Sequence, residues 1–280
     1  MTLSNRTFGV EIECHMPVGY THFALSAALR DRGFPNRVAR YGAAIASYWK
    51  VQPDNSTGYQ GVELVSPILS GETGITEVRR MAEALTAIGC TVSVKTGLHV
   101  HFGASDFDLP AIKRLTKMYV WFESFFDHIM PASRRATNNQ YIKSNRADFG
   151  GYGTDAVNAA FQRLDAVNGL GWAFPGFDRY RKLNITNLQP GKKGTIEFRQ
   201  HSGTTDPDKI ENWIRLLDAF VAKAKVTRIR PRRVERDLTP VEEMRQLFDM
   251  IEVEKPVRTF YMNRRKAIAA AEKRGEAIAA

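Results

Sequence analysis

An α+β fold is predicted by three observations. Before residue 206, short runs of period two alternate with longer segments of helical period, so strands and helices are both expected. Their spacing is not that of repeated βαβ units, and the Gly-rich turn of a dinucleotide-binding sheet is missing. The period-two runs place polar residues at alternate positions, the pattern of an antiparallel sheet with one face on a core.

Strands are expected at about 7 to 14, 46 to 52, 61 to 66, 90 to 95, 98 to 104, 180 to 188 and 194 to 201, where β-branched and aromatic residues are bounded by Gly, Pro and Asn. A helix is expected through Val78, Met81, Leu85 and Ile88, stopped by Gly89. A second carries Ile112, Leu115, Tyr119, Phe122, Phe126 and Ile129 between Asp108 and Pro131. A third, opened by Asp206-Pro207, carries Ile210, Trp213, Ile214, Leu217, Val221 and Ala224. Stripes of this kind are packing faces. Residues 131 to 153 are polar and Gly-rich, a long connection whose Arg134, Arg135 and Lys143 make it either a phosphate lid or a plain surface loop. Beyond it, Thr239-Pro-Val-Glu-Glu opens a helix with Val241, Met244, Leu247, Phe248 and Ile251 on one face, and a last helix begins near Pro256.

With 280 residues, 43% hydrophobic and 25% charged, the chain has enough apolar content for one large core or two smaller ones. Two cysteines exclude a disulfide framework or a thiolate zinc site, and Cys14 and Cys90, with apolar neighbours, are expected in the core. Met1 to Phe8 is too polar for the centre of a signal peptide and no window suits a membrane span, so a cytoplasmic location without membrane contact is expected. The net charge of +10 suggests nucleic acid until it is mapped. Residues 223 to 236 hold seven basic side chains against one acidic, and residues 255 to 280 hold seven against two, which leaves the rest close to neutral. The basic surplus therefore belongs to a C-terminal appendage, a candidate surface for an anionic partner.

The chemistry is in the strand alternation. In Phe8 to Cys14, Val10, Ile12 and Cys14 share one face and Glu11 and Glu13 the other. His99 and His101 lie opposite Val100 and Phe102, and Glu197 and Arg199 opposite Ile196 and Phe198. Glu63 lies opposite Val62 and Leu64, and Asn184 opposite Leu183 and Ile185. A solvated sheet face would mix Thr, Lys, Ser and Gln; here Glu and His dominate. Neighbouring glutamates raise one another's pKa unless cations neutralise them, so a Mg²⁺, Mn²⁺ or Zn²⁺ site is the preferred reading. Few thiolates favour Mg²⁺, with substrate phosphates completing its shell, and Arg199 supplies a fixed cation for a phosphoryl group.

FGVEIE near the N-terminus, Trp49 to Ser56 (W-K-V-x-x-D-x-S), GVELVSP at 61 to 67, GLHVHFG at 97 to 103 and GTIEFRQHSGT at 194 to 204, followed by an amphipathic helix, together resemble the amidoligase family. That family is related to glutamine synthetase and glutamate–cysteine ligase, and the resemblance spans about residues 6 to 224. It implies a curved, mainly antiparallel sheet with ATP and Mg²⁺ (or Mn²⁺) on its concave face and helices on its convex face. It further implies ATP-dependent joining of a carboxylate to an amine through an acyl phosphate, on small-molecule, peptide or protein substrates. Family members are often encoded by bacteriophages and bacteria. By the same resemblance, Glu11, His99 and Glu197 hold the metal that bridges the ATP phosphates, and Glu13 and Glu63 the metal nearer the acyl group. His101 lies along the phosphates and Arg199 steadies the γ-phosphoryl group. Asp54 and Ser56 either touch substrate or form an Asx-capped turn, with Asp54 or Glu63 available to accept the amine proton. Asn184 and Arg181 either belong to the nucleotide site or mark a sheet edge. The resemblance divides the chain into a catalytic domain, 1 to 224, and a basic helical extension, 225 to 280, packed on or beside it.

His15, His22, His128 and His201 are read as structural or surface residues. Two other functions fit part of the pattern: a two-His, one-carboxylate iron or zinc centre, which leaves Glu11, Glu13 and Arg199 without a role, and a non-catalytic binding protein acting through the basic C-terminal region.

Overall fold

The computed structural model describes residues 3–135, 139–147, 154–166, 178–229 and 238–276. The chain divides into two compact units, the first built from Thr2–Phe102 and His201–Ile214, the second from Gly103–Gln200 and Arg215–Ala279.

The first unit is a sheet ordered β2 (Asn36–Val38), β3 (Trp49–Pro53), β4 (Gly61–Val65), β1 (Thr7–His15) and β6 (Gly97–Gly103), with β5 (Leu69–Ser70) also paired to β1. Every pair is antiparallel except β2 with β3. The alternation read from sequence sets its two faces. Val10, Ile12, Cys14, Val51, Val62, Leu64, Leu98 and Val100 are buried together with Leu25 and Leu29 of α1 (His22–Arg30) and Val78, Met81 and Leu85 of α2 (Gly71–Ile88). Each such side chain contributes about 1.5–3 kcal/mol on burial. Trp49 ties the face to α2 by donating its indole N–H to Glu77 at 3.0 Å. Gly89, at φ 93°, ends α2 in the left-handed conformation.

Segment 201–214 belongs to the same unit. Gly203 donates its N–H to the Thr96 carbonyl at 2.8 Å, and a Cβ there would stand 2.1 Å from Thr96 Oγ1, so only glycine allows this approach. Arg79 on α2 then pairs with Asp208 at 2.7 Å and Glu211 at 2.5 Å.

In the second unit, β7 (Leu183–Asn184) pairs antiparallel with β8 (Thr195–Ser202), Asn184 standing opposite Glu197. Its helices are α3 (Leu109–His128), α4 (Thr154–Ala166), the latter part of α5 (Pro207–Val226), α6 (Pro240–Ile251) and α7 (Lys255–Arg274). Tyr119 stacks on Phe126 at 5.0 Å, Phe220 meets Phe126 edge-on at 5.4 Å, and Phe248 of α6 meets Phe125 of α3 at 5.5 Å. Deep in this unit Lys182, fully buried, pairs with Glu123 at 3.0 Å and Asp127 at 2.6 Å.

The structure corrects several expectations. Segment 90–95 is not a strand: Thr91 makes one bridge to His15, and Thr96 Oγ1 then accepts from Ser93 N, folding the chain into a turn. Segment 180–188 contributes only Leu183–Asn184, because Asn184 Oδ1 accepts from Thr186 N and Oγ1, both at 2.8 Å, and diverts the chain. Val241 is 37% exposed, so the packed face of α6 is Met244, Leu247, Phe248 and Ile251. Arg135 is held by Glu272 and the Met130 carbonyl, while parts of 131–153 lie outside the described residues. Residues 230–236, half of the basic stretch 223–236, lie outside them too; within the described half, Lys223 pairs with Glu252 and Lys225 with Asp106.

Candidate active site

Register brings the first unit's motifs together. Glu11 on β1 stands opposite His99 on β6, Glu13 opposite Glu63 on β4, and Gly9 opposite His101. Directly opposed residues project to the same side, so the side chains of Glu11, Glu13, Glu63, His99 and His101 share the face left free of the apolar core. Glycine at position 9 leaves that side of β1 without a side chain next to His101.

Glu11 lies between two imidazoles, with His99 Nδ1 3.1 Å from its Oε2 and His101 Nε2 3.2 Å from its Oε1. The other nitrogen of His99 is 3.5 Å from Glu13 Oε1, and the Gly97 N–H donates to Glu13 Oε2 at 2.6 Å. Glu13, Glu63, His99 and His101 are all buried, and Glu11 nearly so. Burial pushes the Glu11 carboxyl up, but charge and hydrogen bonds from His101 and His99 together outweigh it and hold the group well below the ordinary carboxylate range.

One donor atom each from Glu11, Glu63 and His99 falls within 4.8 Å of the others. Ligands about 2.0–2.2 Å from a common ion have separations of this order, and two carboxylates with one imidazole suit Mg²⁺, Mn²⁺ or Zn²⁺. The donor set therefore fits a divalent cation. Glu63, which the resemblance groups with Glu13, is thereby brought to the same point as Glu11 and His99.

Asp54 follows β3. Its Oδ1 accepts from the Ser56 N–H at 2.9 Å and the Ser56 hydroxyl at 2.7 Å, so the Asx-capped turn is real. The Oδ2 of the same carboxylate is buried and meets no hydrogen-bond partner. Gly61 makes this turn fit, since a Cβ there would lie 2.0 Å from Thr57 Oγ1 and 2.3 Å from the Asp54 carbonyl oxygen.

In the second unit, Glu197 accepts from Asn184 Nδ2 at 2.6 Å and Asn187 Nδ2 at 3.3 Å, and is paired with the Arg199 guanidinium. Asn184 and Arg199 thus belong to one cluster around Glu197. Arg181 donates instead to the Ser144 carbonyl at 2.7 Å and bridges to Lys143. His201 is buried against the Trp213 ring, with its Nδ1 2.7 Å from the Ser202 carbonyl oxygen, as a structural histidine is.

Two residues on the polar face went unassigned from sequence. Gln52 stands opposite Glu63, and Lys50 opposite Val65 with its ammonium donating to the Ala43 and Ala44 carbonyls. The signal was the alternation of Lys50, Gln52 and Asp54 against Trp49 and Val51.

The family model described as "Putative amidoligase enzyme" matches residues 4–221. Among solved structures, GmaS in complex with ADP (conformation 1) is similar with a TM-score of 0.50 and 11% identity, covering 96% of this chain and 70% of that one. GmaS without ligand is similar with the same score and identity, covering 97% and 70%. No curated protein sequence matches. At such identity the likeness concerns the fold, which is the α+β arrangement expected from sequence. Among the described residues no helix is long and apolar enough to cross a membrane.

Proposed function

The chain belongs to the amidoligase family, and we propose that it is an ATP- and Mg²⁺-dependent carboxylate–amine ligase acting through an acyl phosphate. The observation that carries this reading is the convergence of Glu11, Glu63 and His99 donor atoms on one point of a polar sheet face. The ADP bound to GmaS supports nucleotide use in this fold.

A carboxylate is a poor acyl donor because oxide would have to leave. In the proposed first step a substrate carboxylate oxygen attacks the γ-phosphorus of ATP; the new O–P bond forms as the β,γ-bridging bond breaks and ADP departs. Divalent cations, when bound, supply charge neutralisation for the phosphoryl oxygens. Glu11, Glu63 and His99 would hold one such ion, and Glu13, which shares His99, a second nearer the acyl group. His101 orients Glu11 and is assigned to the phosphate side. Glu197 keeps the ligand role and Arg199 the γ-phosphoryl role that the family's motif gives them. Asn184 orients Glu197, whereas Arg181 orders the Ser144 segment.

In the second step the amine nitrogen attacks the acyl carbon and inorganic phosphate leaves. One amine proton must be accepted, and Asp54 is the proposed base because its Oδ2 is buried and unengaged. The substrates are a small-molecule, peptide or protein carboxylate and an amine. Residues 225–280 are proposed to dock an anionic partner or substrate.

Calorimetry of ATP binding with Mg²⁺ or Mn²⁺, and again with excess chelator, tests the reading; binding should require the ion. Equally tight binding in chelator would remove the site, and tightly held stoichiometric iron or zinc would favour the two-His, one-carboxylate alternative that Glu11 between His99 and His101 suggests.

A further inference from the structure

The polar face continues one strand beyond the cluster. Gln52 on β3 stands directly opposite Glu63 on β4, which stands opposite Glu13 on β1. Three side chains thus form a row across neighbouring strands, their Cα atoms about 5 Å apart. Gln52 is only 2% exposed, yet its Nε2 meets no hydrogen-bond acceptor although a carboxylate is carried at the next position of the row. A buried amide donor left unmade is destabilising, and an apolar side chain of similar size would be the easier occupant. Two residues on, Asp54 keeps an acceptor oxygen equally without a partner. The two unsatisfied groups are of opposite kind, which is what an acyl oxygen and an incoming ammonium would satisfy together.

The ligand's identity follows from the row's order. An amide N–H gains nothing from a metal ion; it requires an oxygen. On the ligase reading the phosphates run toward β6, at His101, and β3 lies on the opposite side of β1 and β4. The oxygen available at β3 is therefore that of the acyl substrate.

Resting on that reading, we propose that Gln52 binds the carboxylate co-substrate, its Nε2–H donating to the oxygen that becomes the carbonyl oxygen of the acyl phosphate. The same N–H then faces the oxyanion formed as the amine attacks, so Gln52 acts in both steps without exchanging a proton.

The experiment uses the full chain as wild type, Gln52→Leu and Gln52→Glu. Each is titrated with Mn²⁺ by calorimetry, then melted with Mn²⁺, a non-hydrolysable ATP analogue and increasing sodium acetate, with sodium chloride as the ionic-strength control. Wild type should take up Mn²⁺ and be stabilised by acetate beyond chloride. Gln52→Leu should melt without ligand at or above the wild-type temperature, take up Mn²⁺ as wild type does, and require about tenfold more acetate for the same shift. Gln52→Glu should retain Mn²⁺ and lose the acetate shift, since it turns a donor toward solute into a second acceptor. An unchanged acetate response in Gln52→Leu overturns the proposal, as does wild type that ignores acetate. Marked destabilisation of ligand-free Gln52→Leu would make Gln52 structural. Wild type that takes up no Mn²⁺ overturns the ligase reading itself and takes the proposal with it.

Discussion

Each unit buries a cluster of carboxylates, and the two clusters are satisfied differently. In the second unit Glu123 and Asp127 meet the ammonium of Lys182, at 3.0 and 2.6 Å, and Glu123 also accepts from the Arg146 N–H at 3.1 Å. The cation is part of the chain and permanent. In the first unit Glu11 meets His99 and His101, whose charge is conditional, and its donor atoms converge with those of Glu63 and His99. A buried carboxylate with a built-in ammonium is finished as architecture. One whose neighbours are imidazoles and other carboxylates keeps a donor set that a cation from solution would complete on the proposed reading.

The largest expected effect breaks the finished cluster. Lys182→Met leaves Glu123 and Asp127 without their ammonium and should cost about 3–5 kcal/mol, read as a lowered melting temperature. Adding Glu123→Gln should recover part of that loss, because the uncompensated charge rather than the absent pair is what destabilises. A Lys182→Met protein as stable as wild type would show that the triad does not behave as one.

Glu11→Gln should act in reverse. It keeps the shape and removes one ligand charge, so metal-dependent ligation should fall by about 100-fold or more while the melting temperature stays within a few degrees. Severe unfolding of Glu11→Gln would place both clusters in the structural class and dissolve the contrast.

How much of this could be read from sequence depends on element length. On β1, β4 and β6 a two-residue period runs long enough to fix both faces, and Glu11, Glu13, Glu63, His99 and His101 were assigned to one side before any register was known. Strands of two or three residues leave no period to detect, so β2 and β5 were missed, and an Asx turn at Asn184 shortened the strand expected at 180–188. Alternation puts Gln52 on the polar face but does not single it out, for another reason. Its side chain is informative only because its Nε2 lacks a partner, and satisfaction of a donor is a property of three-dimensional surroundings. Arg181 has the parity of the apolar Leu183 and Ile185 rather than that of Asn184, and its side chain takes its direction from the Ser144 carbonyl, about which alternation says nothing.

Arg199 sharpens the comparison because it is a permanent cation beside a motif carboxylate. If it only balances Glu197, as Lys182 balances Glu123, then Arg199→Lys should leave turnover near wild type. As a planar fork that holds Glu197 and a phosphoryl oxygen at once, it should not be replaceable, and Arg199→Lys should lose about 10- to 100-fold in turnover with little change in melting temperature. Steady-state kinetics of the variant decides between the two roles.

The smallest effect tests whether stability and chemistry are separable at all. Thr239 caps α6 by accepting from the Glu242 N–H at 3.3 Å, while the Glu242 carboxylate accepts from the Thr239 N–H at 2.8 Å. Thr239→Ala removes one half of this reciprocal box and should cost about 1 kcal/mol. The helix it loosens presses Phe248 on Phe125 of α3, beside the finished cluster's Glu123 and Asp127 and within the same unit. If the carboxylate–imidazole face is energetically its own, the midpoint of thermal unfolding should fall by about 2–4 °C and the Mn²⁺ affinity should not move. A Mn²⁺ affinity that falls along with the midpoint would mean that ion binding draws on the packing of α6 against α3, and that the two clusters are coupled.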